Sequence, residues 1–242
     1  MIQKSFFYFK LQNLFFYYDK CITYLNHQKI ITFMLLLFMI RTILIVLILI
    51  QYTYSKNLIT NKLILDIDKK YGKYAKNRFV NINKKILNKL KNESPLKQLT
   101  IVNRLYNNIK YQSDKRNYNV NDYWATLYEF VGKGKGDCED YTIAKYYTLK
   151  ELGFDIKRLK FTYVVYKDRR GKKISHMILA YLKVKRPKTT KDILVLGNIV
   201  NKILPASKRK DIVKVIKMIN GDTGAKSKKW KKLDKNMKRK KI

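Results

Sequence analysis

The sequence predicts an α+β domain in which a cysteine-bearing helix, preceded by other helices, lies on an antiparallel sheet. Three observations predict it. Residues 138–152 are punctuated as a helix: Asp137 suits the N-cap, Glu139 and Asp140 fall in the first turn, and Gly153 suits the C-terminal stop. Three strand-like runs follow, Phe161–Tyr166, Ile174–Leu182 and Ile193–Ile199, separated by turns that hold Asp168-Arg169-Arg170-Gly171 and Pro187. Ahead of that helix, apolar residues recur at helical spacing through much of 56–112.

The chain has 242 residues, enough for one ordinary domain with appendages. Its formal net charge of +37 first suggests a nucleic-acid partner. The excess is almost all Lys and runs along the whole chain. A phosphate-tracking protein concentrates charge in one stripe and favours Arg for bidentate contacts. No nucleic-acid role is therefore expected.

Residues 1–30 are aromatic-rich and mildly basic, and read as a cytoplasmic or interfacial segment. Residues 31–53 read as a transmembrane anchor or signal segment. The apolar run 31–50 spans about 30 Å as a helix, the thickness of a hydrocarbon core. Arg41 costs about 3 kcal/mol at mid-span, while each of fifteen Leu, Ile, Phe and Val residues returns roughly 0.3–0.6 kcal/mol. The polar run Gln51-Tyr52-Thr53-Tyr54-Ser55 offers no small-residue cleavage site, which favours an uncleaved anchor. Either reading exports the domain at 55–220.

Within that domain, Leu63, Leu65, Ile67 and Tyr71 form one weak helical stretch. Ile82, Ile86, Leu87 and Leu90 form a second. After Pro95, Leu99, Val102, Leu105, Tyr106 and Ile109 form a cleaner amphipathic face. Residues 113–136 read as loop, with Tyr123-Trp124 in the middle. Residues 221–242 carry ten Lys or Arg against Asp222 and Asp234, the pattern of a solvated basic tail or of a contact with anionic lipid.

Cys138 carries the chemistry. A helix N-terminus offers about half a positive charge and free N–H groups, which favour a thiolate and can hold an oxyanion. Most free cysteines are packing residues, but a helix-start cysteine beside three acids is not typical core. The chain has two histidines, and His27 precedes the apolar run, which leaves His176 as the partner base. Asp137, Glu139 and Asp140 serve as capping residues on the bland reading. Three carboxylates around a thiol also oppose the thiolate, and a hard cation such as Ca²⁺ would cancel that field.

Asp122-Tyr123-Trp124-Ala125-Thr126, Gly136-Asp137-Cys138-Glu139-Asp140-Tyr141-Thr142-Ile143-Ala144-Lys145-Tyr146 and His176-Met177-Ile178-Leu179-Ala180-Tyr181 together resemble the LapG-type bacterial transglutaminase-like cysteine proteinases. Weaker matches lie at Tyr71-Gly72, Arg78, Val102-Asn103, Asn107, Leu204-Pro205 and Asp211. The resemblance covers roughly residues 65–220. It implies a papain-like, transglutaminase-like fold and a calcium-dependent periplasmic endopeptidase; the apolar run 31–50 would hold that domain at the inner membrane. It implies Cys138 and His176 as catalytic residues, and Asp137, Glu139 and Asp140 as calcium ligands. The implied partners are a large surface adhesin, whose cleavage releases a biofilm, and an inner-membrane cyclic-di-GMP receptor.

One departure stands out. The family's third strand ends Leu-Asp-Asn, and its Asp orients the histidine. The run here is Val195-Leu196-Gly197-Asn198. Asn198 is the candidate third member, with Asp192 more distant. A one-residue shift along a strand turns a side chain to the opposite face unless a bulge intervenes. Two alternatives to a protease stay open: a binding protein with weak or no catalysis, and a protein-glutamine acyl transferase.

Overall fold

The computed structural model describes residues 33–45, 59–90, 92–221 and 227–242, without the side chains of 85–89. The N-terminal segment 1–30 and the expected core positions Ile86 and Leu87 lie outside that description. The chain divides into two units, 1–56 and 57–242.

In the first unit, residues 33–45 are helical and almost all exposed. Among the described residues no helix is long and apolar enough to cross a membrane. No transmembrane helix over 31–53 is found among the described residues, and residues 31–32 and 46–53 lie outside them.

The second unit opens with α1 (Asn61–Tyr71), capped by Thr60, whose hydroxyl accepts from Leu63 N–H at 3.3 Å. Gly72, at φ 79°, separates it from α2 (Lys73–Lys89). Pro95 starts α3 (Pro95–Asn107), where its missing N–H costs nothing. Most of the expected positions are buried: Leu63, Ile67, Ile82, Leu90, Leu99, Val102 and Tyr106; Leu65 instead faces solvent, off the buried face set by Leu63 and Ile67.

The predicted loop 113–136 contains more structure than expected. β1 (Lys110–Tyr111) pairs in parallel with β2 (Lys135–Gly136), and between them lie α4 (Asp114–Tyr118) and α5 (Leu127–Lys133). These helices have five and seven residues, too short for a hydrophobic period to declare itself. A capping box at Thr126 and Glu129 starts α5, and Gly134 ends it in the left-handed region at φ 68°.

The cysteine helix α6 spans Cys138–Glu151, as the punctuation predicts. It packs on β4 (Lys173–Leu182), the middle strand of a five-stranded antiparallel sheet. The others are β3 (Leu159–Lys167), β5 (Ile193–Leu196), β6 (Leu204–Pro205) and β7 (Ile212–Asn220), in the order β6-β5-β4-β3-β7. Alternation sorts the side chains. Phe161, Met177, Leu179, Tyr181 and Leu196 join α6 in the main core, while Val164, Ile178 and Val195 form a small cluster on the opposite face.

The basic C-terminal segment is not a solvated tail along its whole length. Lys228–Lys238 form α7, capped by Ser227, and Trp230, Leu233 and Met237 are buried in the main core. Their spacing is helical, but it is masked by the lysines between them. Trp230 meets the rings of Phe161, Trp124 and Tyr146 edge-on at 4.7, 5.9 and 6.0 Å. Beyond α7, the Lys241 carbonyl accepts from the Thr126 hydroxyl at 2.7 Å.

Candidate active site and metal centre

Gly136 brings β2 into α6 at a point where a side chain would not fit. A Cβ there would lie 2.4 Å from Asp140 Oδ2 and 2.6 Å from the Phe130 ring. Asp137 then caps α6, and its N–H donates back to Asp140 Oδ2 at 3.3 Å. Cys138 follows as the first helical residue and is part-buried.

The Cys138 thiol donates to Glu139 Oε2 at 2.9 Å. Burial, then the charge of Glu139, push the thiol far above its usual range, and a hydrogen bond from the Met177 main chain opposes the rise. The Thr142 hydroxyl ties the helix to the same strand, reaching the carbonyls of Cys138 at 2.8 Å and Met177 at 3.4 Å.

His176 precedes Met177 on β4 and is buried. Its Nε2 has no hydrogen-bond partner, and its ring lies 5.9 Å from that of Tyr166. Burial holds the imidazole down to about 4; Glu139 pulls it up, and Lys145 and Arg209 push it further down. Glu139 and His176 line one cavity of about 570 Å³ together with Trp124, Tyr163 and Ile216. The carboxylate bonded to the thiol therefore faces the same cavity as the imidazole.

Neither candidate for a third member bonds to His176. Asn198 is half-buried, with its Oδ1 buried and unpartnered. Asp192 sits in a turn facing Lys183 at 3.9 Å and Thr189 at 3.4 Å. Gly197 occupies the position that matters. Leu196 pairs with Leu179, so position 197 continues opposite Ile178, on the sheet face turned from the body of α6; His176 shares that face by alternation and meets Glu139 across the cavity that both line. A Cβ at 197 would meet only Ile178 Cγ2, at 3.4 Å, in ordinary contact.

The expected metal ligands separate. Asp137 and Asp140 converge with Asp114, which sequence reasoning missed, with one ligand oxygen of each within 4.8 Å of the others. Glu139 turns to the thiol instead. The β1–β2 ladder explains the addition of Asp114: Tyr111 pairs with Gly136, which sets Asp114 beside Asp137. Asp140 Oδ1 accepts from Ala125 N–H at 2.9 Å and Asp114 Oδ2 from Tyr123 N–H at 2.5 Å. The Oδ1 atoms of Asp114 and Asp137 are buried without a partner. Burial, reinforced by neighbouring carboxylates, raises all three acids, Asp137 to about 9. Clustered carboxylate oxygens with unsatisfied lone pairs fit a hard divalent cation such as Ca²⁺.

Lys145 was also missed as a site neighbour. It is fully buried in α6, donates to Asn107 Oδ1 at 2.7 Å, and is held well below the usual range by burial. Asn107 in turn donates to the Gly197 carbonyl at 2.9 Å, so this chain of contacts fixes the backbone beside Ile178.

Comparison with known proteins agrees with this arrangement. A family model described as bacterial transglutaminase-like cysteine proteinase matches residues 70–238. Solved structures of Legionella pneumophila LapG are similar. One is 30% identical, with a TM-score of 0.59, covering 74% of this chain and 98% of that one. A calcium-bound form is 28% identical with a TM-score of 0.58, covering 74% and 99%. An EGTA-treated form is 29% identical with a TM-score of 0.58, covering 74% and 98%. No curated protein matches the sequence.

Proposed function

The chain belongs to the bacterial transglutaminase-like cysteine proteinase family, and from that premise we propose that it is a calcium-dependent cysteine endopeptidase of the periplasm. Its substrate is an exported protein of the large surface-adhesin type, and residues 31–50 hold it at the inner membrane, where a cyclic-di-GMP receptor restrains it. One observation carries the catalytic reading: Cys138 starts a capped helix against the strand that bears His176, and both groups share Glu139 as a neighbour.

In the reaction, His176 takes the thiol proton and the sulfur attacks the scissile carbonyl. The Cys138 N–H at the helix start donates to the oxyanion. The amine leaves with the proton from His176, and water hydrolyses the thioester. Before the first step, the thiol proton must turn from Glu139 towards His176. Asp114, Asp137 and Asp140 would hold Ca²⁺, which supplies the positive charge that their clustered carboxylates lack.

Incubating the chain with an N-terminal adhesin fragment tests the proposal. Cleavage by the wild type but not by Cys138→Ala, lost on chelation, is the expected result. The absence of a side chain at Gly197 favours a second reading, a binding protein with impaired catalysis. Equal binding of the fragment by wild type and Cys138→Ala, with no product from either, would establish that reading instead.

A further inference from the structure

β7 is the last strand of the sheet on the side of β3, and among the described residues no strand pairs with its outer edge. It carries a run of apolar side chains exposed to solvent. Val213, Val215, Ile216 and Met218 are each between 41 and 55% exposed. Natural edge strands are usually short, charged or covered, because unpaired N–H and C=O groups invite another strand. β7 has nine residues, and its only charged side chains are Lys214 and Lys217.

The register locates two bulges. Tyr163 pairs with Lys217 and Val164 with Val215, which leaves Ile216 as the extra residue; Val165 pairs with Lys214 and Tyr166 with Ile212, which leaves Val213. Bulges re-aim side chains next to active sites. Ile216, Lys217 and Ile219 all line the cavity that holds Glu139 and His176. From Lys217 to Asn220 the strand pairs regularly with β3. The edge is therefore continuous with the candidate active site and ordered where it meets it.

Charge selects the occupant. Lys228 and Lys229 line the cavity with Lys217 and add to Lys214; of the acids there, Asp122 is paired with Lys229, Glu139 accepts from the Cys138 thiol, and Asp211 before the strand is paired with Arg209. A second copy of the chain, itself at +37 and presenting the same lysines, would be repelled. An extended segment with acidic side chains would be attracted.

We infer that β7 is a substrate-docking edge. An extended, acidic segment of the protein substrate adds along it as a further strand, presenting carboxylates to Lys214 and Lys217 and apolar side chains to Val215, Ile216 and Met218. This rests on the reading of the chain as a protein-cleaving enzyme, and it names the class of sequence that flanks the cleaved bond.

The test uses a fluorescein-labelled peptide of alternating Glu and Val, with a Lys-Val peptide as control. Binding to the full chain carrying Cys138→Ala is followed by anisotropy, so no cleavage enters the measurement. The Glu-Val peptide should bind, the Lys-Val peptide should not, and Lys214→Glu with Lys217→Glu should weaken binding at least tenfold. Amide hydrogen exchange should slow across 212–220 when the peptide is present. Val215→Ala with Met218→Ala, which strips exposed apolar surface from the strand, should weaken binding while the charges stay. Equal binding of both peptides, protection confined to other strands, or a dimer in solution that the charge reversals abolish would each overturn the inference. Failure of the protease reading shows separately, as intact peptide binding with no cleavage by the wild type.

Discussion

Replacing Gly197 by Asp should rebuild the missing partner of His176. The register puts position 197 opposite Ile178, two residues along β4 from His176 and on the same face. A Cβ there meets nothing closer than 3.4 Å, so the backbone need not move. Diagonal neighbours on one face of a sheet lie about 7–8 Å apart, which brings an Asp carboxylate to roughly 5 Å from the imidazole. At an effective dielectric of about 20, the attraction is about 3 kcal/mol, or roughly two pKa units. The imidazole, held at about 4 by burial, should therefore titrate near pH ~6 in the variant. NMR titration measures this directly, with His27→Gln to assign the two histidines. Loss of an orienting Asp costs up to about 10⁴ in rate in a serine protease, so adhesin cleavage should rise by between about 10-fold and that limit. The pH profile of Cys138 alkylation gives a substrate-free readout of the same change. Gly197→Ala supplies the Cβ without the charge. If the Asp and Ala variants titrate and alkylate alike, position 197 does not address His176 and the face assignment is wrong.

Three further outcomes follow from the same geometry. His176 titrates lower in the fold than in an unfolded chain, where its pKa is about 6.5, so the unfolded state binds more protons between about pH 4 and 6.5. Thermal stability should fall as pH drops through that window, and His176→Gln should flatten this limb. Calcium should raise the melting temperature of the wild type, and Asp114→Asn should remove most of that increase, whereas Glu139→Gln should keep it; equal loss in both would place Glu139 among the ligands. Trp230→Ala should destabilise the domain by roughly 3–5 kcal/mol, as for a buried aromatic, measured by urea unfolding; a loss under 1 kcal/mol would mean that α7 does not belong to the core.

The parts of the fold that were legible in the sequence are those in which local and tertiary forces agree. α6 is announced by Asp137, Glu139, Asp140 and Gly153, and the structure starts and stops it at those signals. The run Ile174–Leu182 alternates, and it becomes β4 with one face on α6 and the other on the small cluster of Val164, Ile178 and Val195. α7 was illegible because ten basic residues dominate its segment while three apolar ones decide its fate. A helix with one narrow apolar stripe reads as a tail until the surface that receives it is known.

Asp114 shows why part of the candidate site had to be missed. It stands twenty-three residues before Asp137 in a stretch without periodicity. Only a two-residue parallel ladder, Lys110–Tyr111 with Lys135–Gly136, brings it to Asp137, and a ladder that short leaves no pattern in a sequence. Glu139 lies apart from the aspartates for the converse reason. Adjacency to Asp137 and Asp140 suggested a shared cation, but successive residues of a helix point about 100° apart. Asp137 and Asp140, three residues apart, turn to one side and meet Asp114; Glu139 turns to another and meets the thiol. The acids beside Cys138 thus divide into two sets acting on one sulfur. The three aspartates form a candidate cation site at the helix start, and Glu139 lies in the cavity that His176 also lines. A cation on the first set weakens the field that keeps the thiol protonated, while Glu139 still holds that proton away from His176. Charge and geometry therefore need separate corrections: calcium addresses the first, and an acid at position 197, by making His176 the better acceptor, addresses the second.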